Sequence, residues 1–181
     1  ALGYLDSKHG MDNYSQRMNN MPDMHRTNTA AAKTTTLKFH LIRDTALGRL
    51  SVGADGYWSS HDSTVTSPNN MMFNIKNFIE AKDNRFGLFA ELEGSYEGGG
   101  ITLGVRMKTH EQDSGEVDHH MAMMNPSIKT LKANFNESKR KDSKNLHDIA
   151  LNWYHRLNDE WHVSLGLGQK QRAASYQALY L

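Results

Sequence analysis

Residues Arg85–His110 read RFGLFAELEGSYEGGGITLGVRMKTH. Phe86, Leu88, Ala90, Leu92 and Tyr96 share one parity; Gly87, Phe89, Glu91, Glu93 and Ser95 take the other. After EGGG, Ile101, Leu103, Val105 and Met107 alternate with Thr102, Gly104, Arg106 and Lys108. Side chains alternate across a strand, whereas a helix groups positions i, i+3 and i+4. A period of two interrupted by a short glycine turn predicts an antiparallel hairpin with one apolar face.

The same period extends outward. It recurs in TTTLKFHLIR (Thr34–Arg43), GRLSVGADGYW (Gly48–Trp58), HDIALNWYH (His147–His155) and WHVSLGLG (Trp161–Gly168). Short connections, DTALG, EGGG and LNDE, join these segments pairwise. Long connections separate the pairs at roughly residues 59–83 and 111–144, and a similar stretch of roughly residues 6–33 precedes them. In an up-and-down sheet alternate connections lie at opposite ends. One end therefore has tight turns and the other long loops, an asymmetry of outer-membrane barrels. Structureless loops of this length are uncommon in globular domains. Tyr96 and Trp161 fall beside tight turns on the apolar face, where an interfacial aromatic girdle would lie.

Composition narrows the function. The 181 residues allow one sizeable domain, and a net charge of +1 gives no electrostatic case for nucleic acid. With no cysteine there is no disulfide, thiolate nucleophile or zinc–thiolate site. Mean hydropathy is −0.70, and no apolar run is long enough for a membrane helix. A membrane strand needs only about 9 to 11 residues, half of them apolar. The opening ALGYLDSKHG has neither a basic leader nor an apolar run, so no signal peptide is expected there.

Two architectures compete for the apolar face. A soluble lipocalin-like barrel binding a small ligand would turn it inward, and a transmembrane barrel would turn it to lipid. Gly53, Gly87, Gly104, Gly166 and Gly168 share the polar face. An outer surface gains nothing from missing side chains, whereas a crowded interior does. With the loop asymmetry, this favours an all-β, antiparallel up-and-down transmembrane β-barrel. Glu91 and Glu93 on that face read as a polar lining, with Arg106 and Lys108 as partners across the hairpin. No nucleophile elbow or phosphate-binding loop is present, so no catalytic residue and no enzyme is expected.

The segment LGLGQKQRAASYQALYL (Leu165–Leu181) resembles a motif of TonB-dependent outer-membrane receptors. Arg172, Ala173, Ser175, Tyr176, Gln177, Tyr180 and Leu181 stand at the matching places, while Ala174 replaces the pattern's proline and Ala178-Leu179 its Glu-Arg. HGMDNYSQRMNNMP, SSHDSTVTSPNNMMFNI, DNRFGLFAELEGS and GVRMKTHEQDSGEVDHHMAMMNP are similar to the copper and siderophore branch of the same receptors. The resemblance implies that residues 1–181 are about six to eight strands of a larger barrel, without its plug domain. It also implies a bacterial outer-membrane location, short periplasmic turns, long extracellular loops, lipid contact and coupling to the TonB energy-coupling complex through the plug. The implied function is uptake of a metal or metal chelate, copper or an iron-siderophore, as transported ligand.

Two stretches carry candidate ligands for that cargo. HGMDNYSQRMNNMPDMHR (His9–Arg26) supplies Met21, Met24 and His25, and DHHMAMMN (Asp118–Asn125) supplies His119, His120, Met121 and Met123. Thioether and imidazole suit Cu(I), and imidazole suits Cu(II). A Met/His surface for a chelate, and methionines as adaptable loop packing, are the competing readings.

Overall fold

A computed structural model describes residues 1–15 and 21–174 of the chain. It is one antiparallel sheet: β1 (Leu2–Asp12), β2 (Thr27–Thr45), β3 (Gly48–Ser67), β4 (Asn70–Tyr96), β5 (Gly99–Asp113), β6 (Asp118–His119), β7 (Asp142–Arg156) and β8 (His162–Lys170). The order is β1-β2-β3-β4-β5-β7-β8, with the short β6 added to β4. Every long strand thus pairs with its neighbour in the chain. Among the described residues β1 and β8 do not meet, so the sheet is open.

Of the stretches expected to be loops, 59–83 is almost wholly strand and 6–33 is strand at both ends, while 111–144 stays largely outside the sheet. β3 and β4 run on to Ser67 and from Asn70, so the supposed connection 59–83 is a tall hairpin closed at Pro68-Asn69. β1 and β2 likewise narrow the first connection to residues between Asp12 and Thr27. The β3 extension is mostly Ser, Thr, His and Asp, and the β4 extension sets Met71, Met72, Phe73, Ile75 and Ile79 among Asn and Lys without a sustained alternation, yet the backbone ladder continues through them. Register shifts near His61–Thr64 and Thr66–Ser67 mark bulges in the upper β3–β4 pair. Glu80, opposite that region, has φ of 49° and donates its N–H to Asp62 Oδ1 at 2.8 Å.

The third connection contains an unexpected helix, α1 (Pro126–Glu137). Asn125 caps it by accepting from the backbone N–H groups of Ser127 and Ile128 at 3.0 and 3.3 Å, and Pro126 occupies the first turn. Ile128, Leu131 and Phe135 recur at helical spacing.

Register assembles the alternation into one apolar band. Leu41, Val52, Ala90, Val105 and Ile149 lie in a row across five strands. The next row runs Leu50, Leu92, Leu103, Leu151, Leu167. Toward the short turns, Trp153 pairs with Ile101 and Leu165. There Trp153 Nε1 donates to the Tyr96 hydroxyl at 2.7 Å. The sharp Ala46-Leu47 turn is closed by Gly48 at φ of 127°, where a side chain would strike the Glu93 carbonyl.

Along the central strand β5, exposure runs opposite to that of a water-soluble strand, whereas Leu50, Leu92, Leu151 and Trp153 on nearby strands are half-buried and Glu91, Glu93 and Asn152 exposed. Along β5, Ile101, Leu103, Val105 and Met107 are exposed, whereas Thr102, Gly104, Arg106 and Lys108 are partly covered. Ala81 and Ala122 are the buried apolar side chains among the described residues. The molecule exposes 13280 Å², against about 8,900 Å² for a compact monomer of its mass. Arg106 on β5 reaches Asp55 on β3, two strands away, and a cavity lies over the same face, so the polar side is the concave one.

Candidate functional site

Two features stand out: a polar trough inside the curve, and a methionine and histidine crest at the tall-hairpin end.

In the trough, Arg106 Nη2 donates to both oxygens of Asp55 at 2.6 Å. Lys108 Nζ donates to Asp148 Oδ2 at 2.8 Å. One row higher, His110 Nε2 meets Asp83 Oδ1 at 2.8 Å, and Arg85 Nε donates to the same carboxylate. Glu91 and Glu93 are not the partners of Arg106 and Lys108, contrary to expectation. Register places Gly104 and Thr102 opposite the two glutamates, so the cations lie further along β5. Arg106 instead crosses β4 over Gly87, where a Cβ would approach its Nη2 to 2.7 Å and Asp55 Oδ1 to 2.8 Å. Gly53 similarly accommodates the Phe89 ring. Gly168 meets only ordinary contacts, so its lack of a side chain is not required for packing.

At the crest, the tip of the β3–β4 hairpin joins both candidate stretches. Asn69 Nδ2 donates to the Pro22 carbonyl at 2.7 Å and meets His25 Nδ1 at 3.2 Å. His25 stacks on Tyr14 with centroids 4.6 Å apart. The neighbouring Arg26 guanidinium sits 3.9 Å over the Phe73 ring. The other edge of this assembly is His120, 4.5 Å from Phe73, and His120 stacks in turn on His119 at 4.8 Å. Phe73 therefore bridges the His9–Arg26 and Asp118–Asn125 stretches.

The candidate ligands differ in their placement. Met21, Met24 and Met123 are exposed, Met123 almost fully at 97%. Met121 is partly covered at 38%. His119 and His120 lie with ring planes 16° apart, so their in-plane lone pairs run side by side rather than converging. His119 Nδ1 already accepts from the Met121 N–H at 3.1 Å, whereas His120 Nδ1 is buried without a hydrogen-bond partner. Burial, then the neighbouring His120, holds the His119 pKa below 6.5, which favours the neutral imidazole a metal needs. Among the described residues no three His, Asp or Glu side chains form a metal-holding group.

Sequence reading missed Met71 and Met72, exposed at 99% and 84% on the same hairpin. Their signal is NNMMF beside the SPNN turn, inside a stretch taken for a loop. Met18 of the first stretch lies outside the described residues. So do Ser175, Tyr176, Gln177, Tyr180 and Leu181 of the carboxyl-terminal motif. No family model, curated protein or solved structure matches the chain.

Proposed function

We propose that this chain forms part of the wall of a bacterial outer-membrane β-barrel of the TonB-dependent receptor kind, which takes up a scarce metal or metal chelate. The apolar rows that cross the sheet in register, exposed along β5, carry this reading. A continuous row of leucine, valine and isoleucine side chains on the convex side suits hydrocarbon, and an ion-paired concave side suits a hydrated or plugged interior. From Phe86 to Tyr96, a rise of about 3.3 Å per residue and a tilt of about 40° give a band about 25 Å tall. Trp58 at one border and Tyr96, Trp153 and Trp161 at the other fit the two aromatic girdles.

On this reading the turns at Ala46-Leu47 and Glu97-Gly98 face the periplasm, and the tall β3–β4 hairpin with its methionine and histidine crest faces outward. The crest captures cargo, either copper or an iron-siderophore. Energy arrives from the TonB complex through a plug domain held in the barrel. No covalent chemistry is required of the wall.

The test is reconstitution of the purified protein into phospholipid vesicles. Protease protection of the band, with cleavage confined to the crest on the outside, is the expected result. A protein that stays monomeric in buffer without detergent, and leaves the vesicles untouched, overturns the proposal in favour of a soluble barrel with its apolar face inside.

A further inference from the structure

The contacts around Phe73 continue outward to the candidate ligands of both Met/His stretches. Toward the first stretch, the Arg26 guanidinium lies 3.9 Å from the Phe73 ring centroid. Arg26 Nη1 also donates to the Asp23 and His25 carbonyls, each at 2.7 Å. Those carbonyls flank Met24, so the guanidinium clamps the turn that carries Met24 and His25. Toward the second stretch, the His120 ring lies 4.5 Å from Phe73 with its plane tilted by 47°. His120 stacks on His119 at 4.8 Å, and His119 Nδ1 accepts from the Met121 N–H at 3.1 Å. An unbroken path of contacts therefore runs from the Met24 turn through Arg26, Phe73, His120 and His119 to Met121.

The tall hairpin also holds each stretch by ties that do not involve the Phe73 side chain. Asn69 Nδ2 donates to the Pro22 carbonyl at 2.7 Å. The β6 ladder pairs His119 with Ile75 and Asp118 with Lys76. The Phe73 ring adds a side-chain contact with both stretches at once. Arg26, Phe73 and His120 are all half-buried, a setting in which a cation over an aromatic ring is worth more than in open water.

We propose that Phe73 is a positioning residue that couples the two stretches, so that the Met24 turn and the His119–Met121 turn meet cargo as one surface. The inference rests on the proposed uptake reading and deepens it: a change at either turn is felt at the other. Contiguous packing makes such coupling available, and a double-substitution cycle measures it.

The first measurement needs no cargo. It follows the His120 ring resonances by NMR in the full chain, held in detergent micelles with labelled histidine. Arg26→Gln removes the cation beside Phe73 and is expected to shift those resonances. In a Phe73→Leu background the same change should leave them in place, and a Phe73→Tyr background should restore the response. A merely structural Phe73 would lower stability without abolishing this cross-response. No response to Arg26→Gln in the parent chain, or an equal response in Phe73→Leu, overturns the proposal. The second measurement is titration with Cu(I). Phe73→Leu is expected to weaken binding about three- to ten-fold, the size of one cation–π or aromatic contact, and Phe73→Tyr to recover most of it. Cu(I) affinity unmoved by Phe73→Leu overturns the positioning role. A parent chain that binds no Cu(I) defeats copper as the cargo, and the cross-response alone then decides the coupling.

Discussion

Arg106 on β5 reaches Asp55 on β3 across an intervening strand, with Nη2 at 2.6 Å from each carboxylate oxygen. The contact exists because β4 carries glycine at position 87 between them. Gly87→Val must displace one partner or the other. Overpacking of this kind costs about 1–3 kcal/mol, read as a lower midpoint in urea unfolding from vesicles. Gly168→Ala, which meets only the Ile149 carbonyl at 3.5 Å, should leave the midpoint unchanged. Equal effects from the two substitutions would separate Gly87 from the ion pair.

The two faces of β5 should respond oppositely to charge. Leu103 sits in the middle of the apolar band, between Leu92 and Leu151. An arginine at a lipid-facing midplane position costs about 2–4 kcal/mol in an outer-membrane barrel. Leu103→Arg should show that penalty in vesicle-folding equilibria. Thr102→Arg, one residue away on the concave side, should cost far less. A reversed order would place the polar face against lipid.

Acid should loosen the α1 region in two stages. His119 has its pKa lowered from 6.5, chiefly by burial, so folding favours the neutral ring. The stability it contributes is complete above pH 6.5 and declines as the pH falls from there through its folded value. Asp118 is lowered from 3.8, first by the hydrogen bond from Lys132 on α1. Its contribution is present above pH 3.8 and lost as the pH drops through its lowered folded value. Hydrogen exchange of α1 amides, corrected for intrinsic rate, should accelerate in both windows. His119→Gln removes the upper stage, and Asp118→Asn the lower.

Loss of the helix cap tests the same segment without titration. Asn125→Ala strips the acceptor from Ser127 and Ile128. Caps of this type contribute about 1 kcal/mol, so the first-turn amides of α1 should exchange several-fold faster. Unchanged protection would mean that packing alone holds the helix.

Copper binding at the crest requires rearrangement. The parallel rings of His119 and His120 offer lone pairs that do not converge, and Met121 N–H occupies His119 Nδ1. Titration with Cu(I) should therefore shift the His119 and His120 ring resonances together and release the Met121 amide. Changing Met21, Met24, His120 and Met121 to alanine should abolish stoichiometric binding. Binding indifferent to these four changes would leave the methionines as packing and shift the cargo to a chelate.

The apolar band was legible from alternation because one face carries nearly all the Leu, Val and Ile, Ile42 and Leu146 excepted, and this pattern sets strand register. The upper β3–β4 hairpin was not. Ser59–Ser67 is polar but for Val65, and the apolar residues of its partner strand are interrupted by Asn and Lys and by register shifts, so no unbroken alternation separates strand from loop; backbone pairing inherited from below carries them. Helix α1 was written in Asn125-Pro126 and in Ile128, Leu131 and Phe135, but a polar setting hid a three-turn pattern. The partners of Arg106 depend on which residue opposes Gly104, a matter of register between strands. The meeting of both Met/His stretches at Phe73 depends on the height of a hairpin whose height the sequence conceals.

Because each long strand is hydrogen-bonded to its predecessor in the chain, orientation passes along the sheet as parity. One residue inserted in β5 between Ile101 and Met107 would move its later side chains to the opposite side, out of the rows they share with Ile149 and Leu151. Two inserted residues would restore it. Such a wall tolerates changes in strand length by even steps, and odd steps only where a bulge absorbs them, as near Ser63. Natural length variants of this sheet should therefore differ by pairs of residues within the band and by any number at its turns.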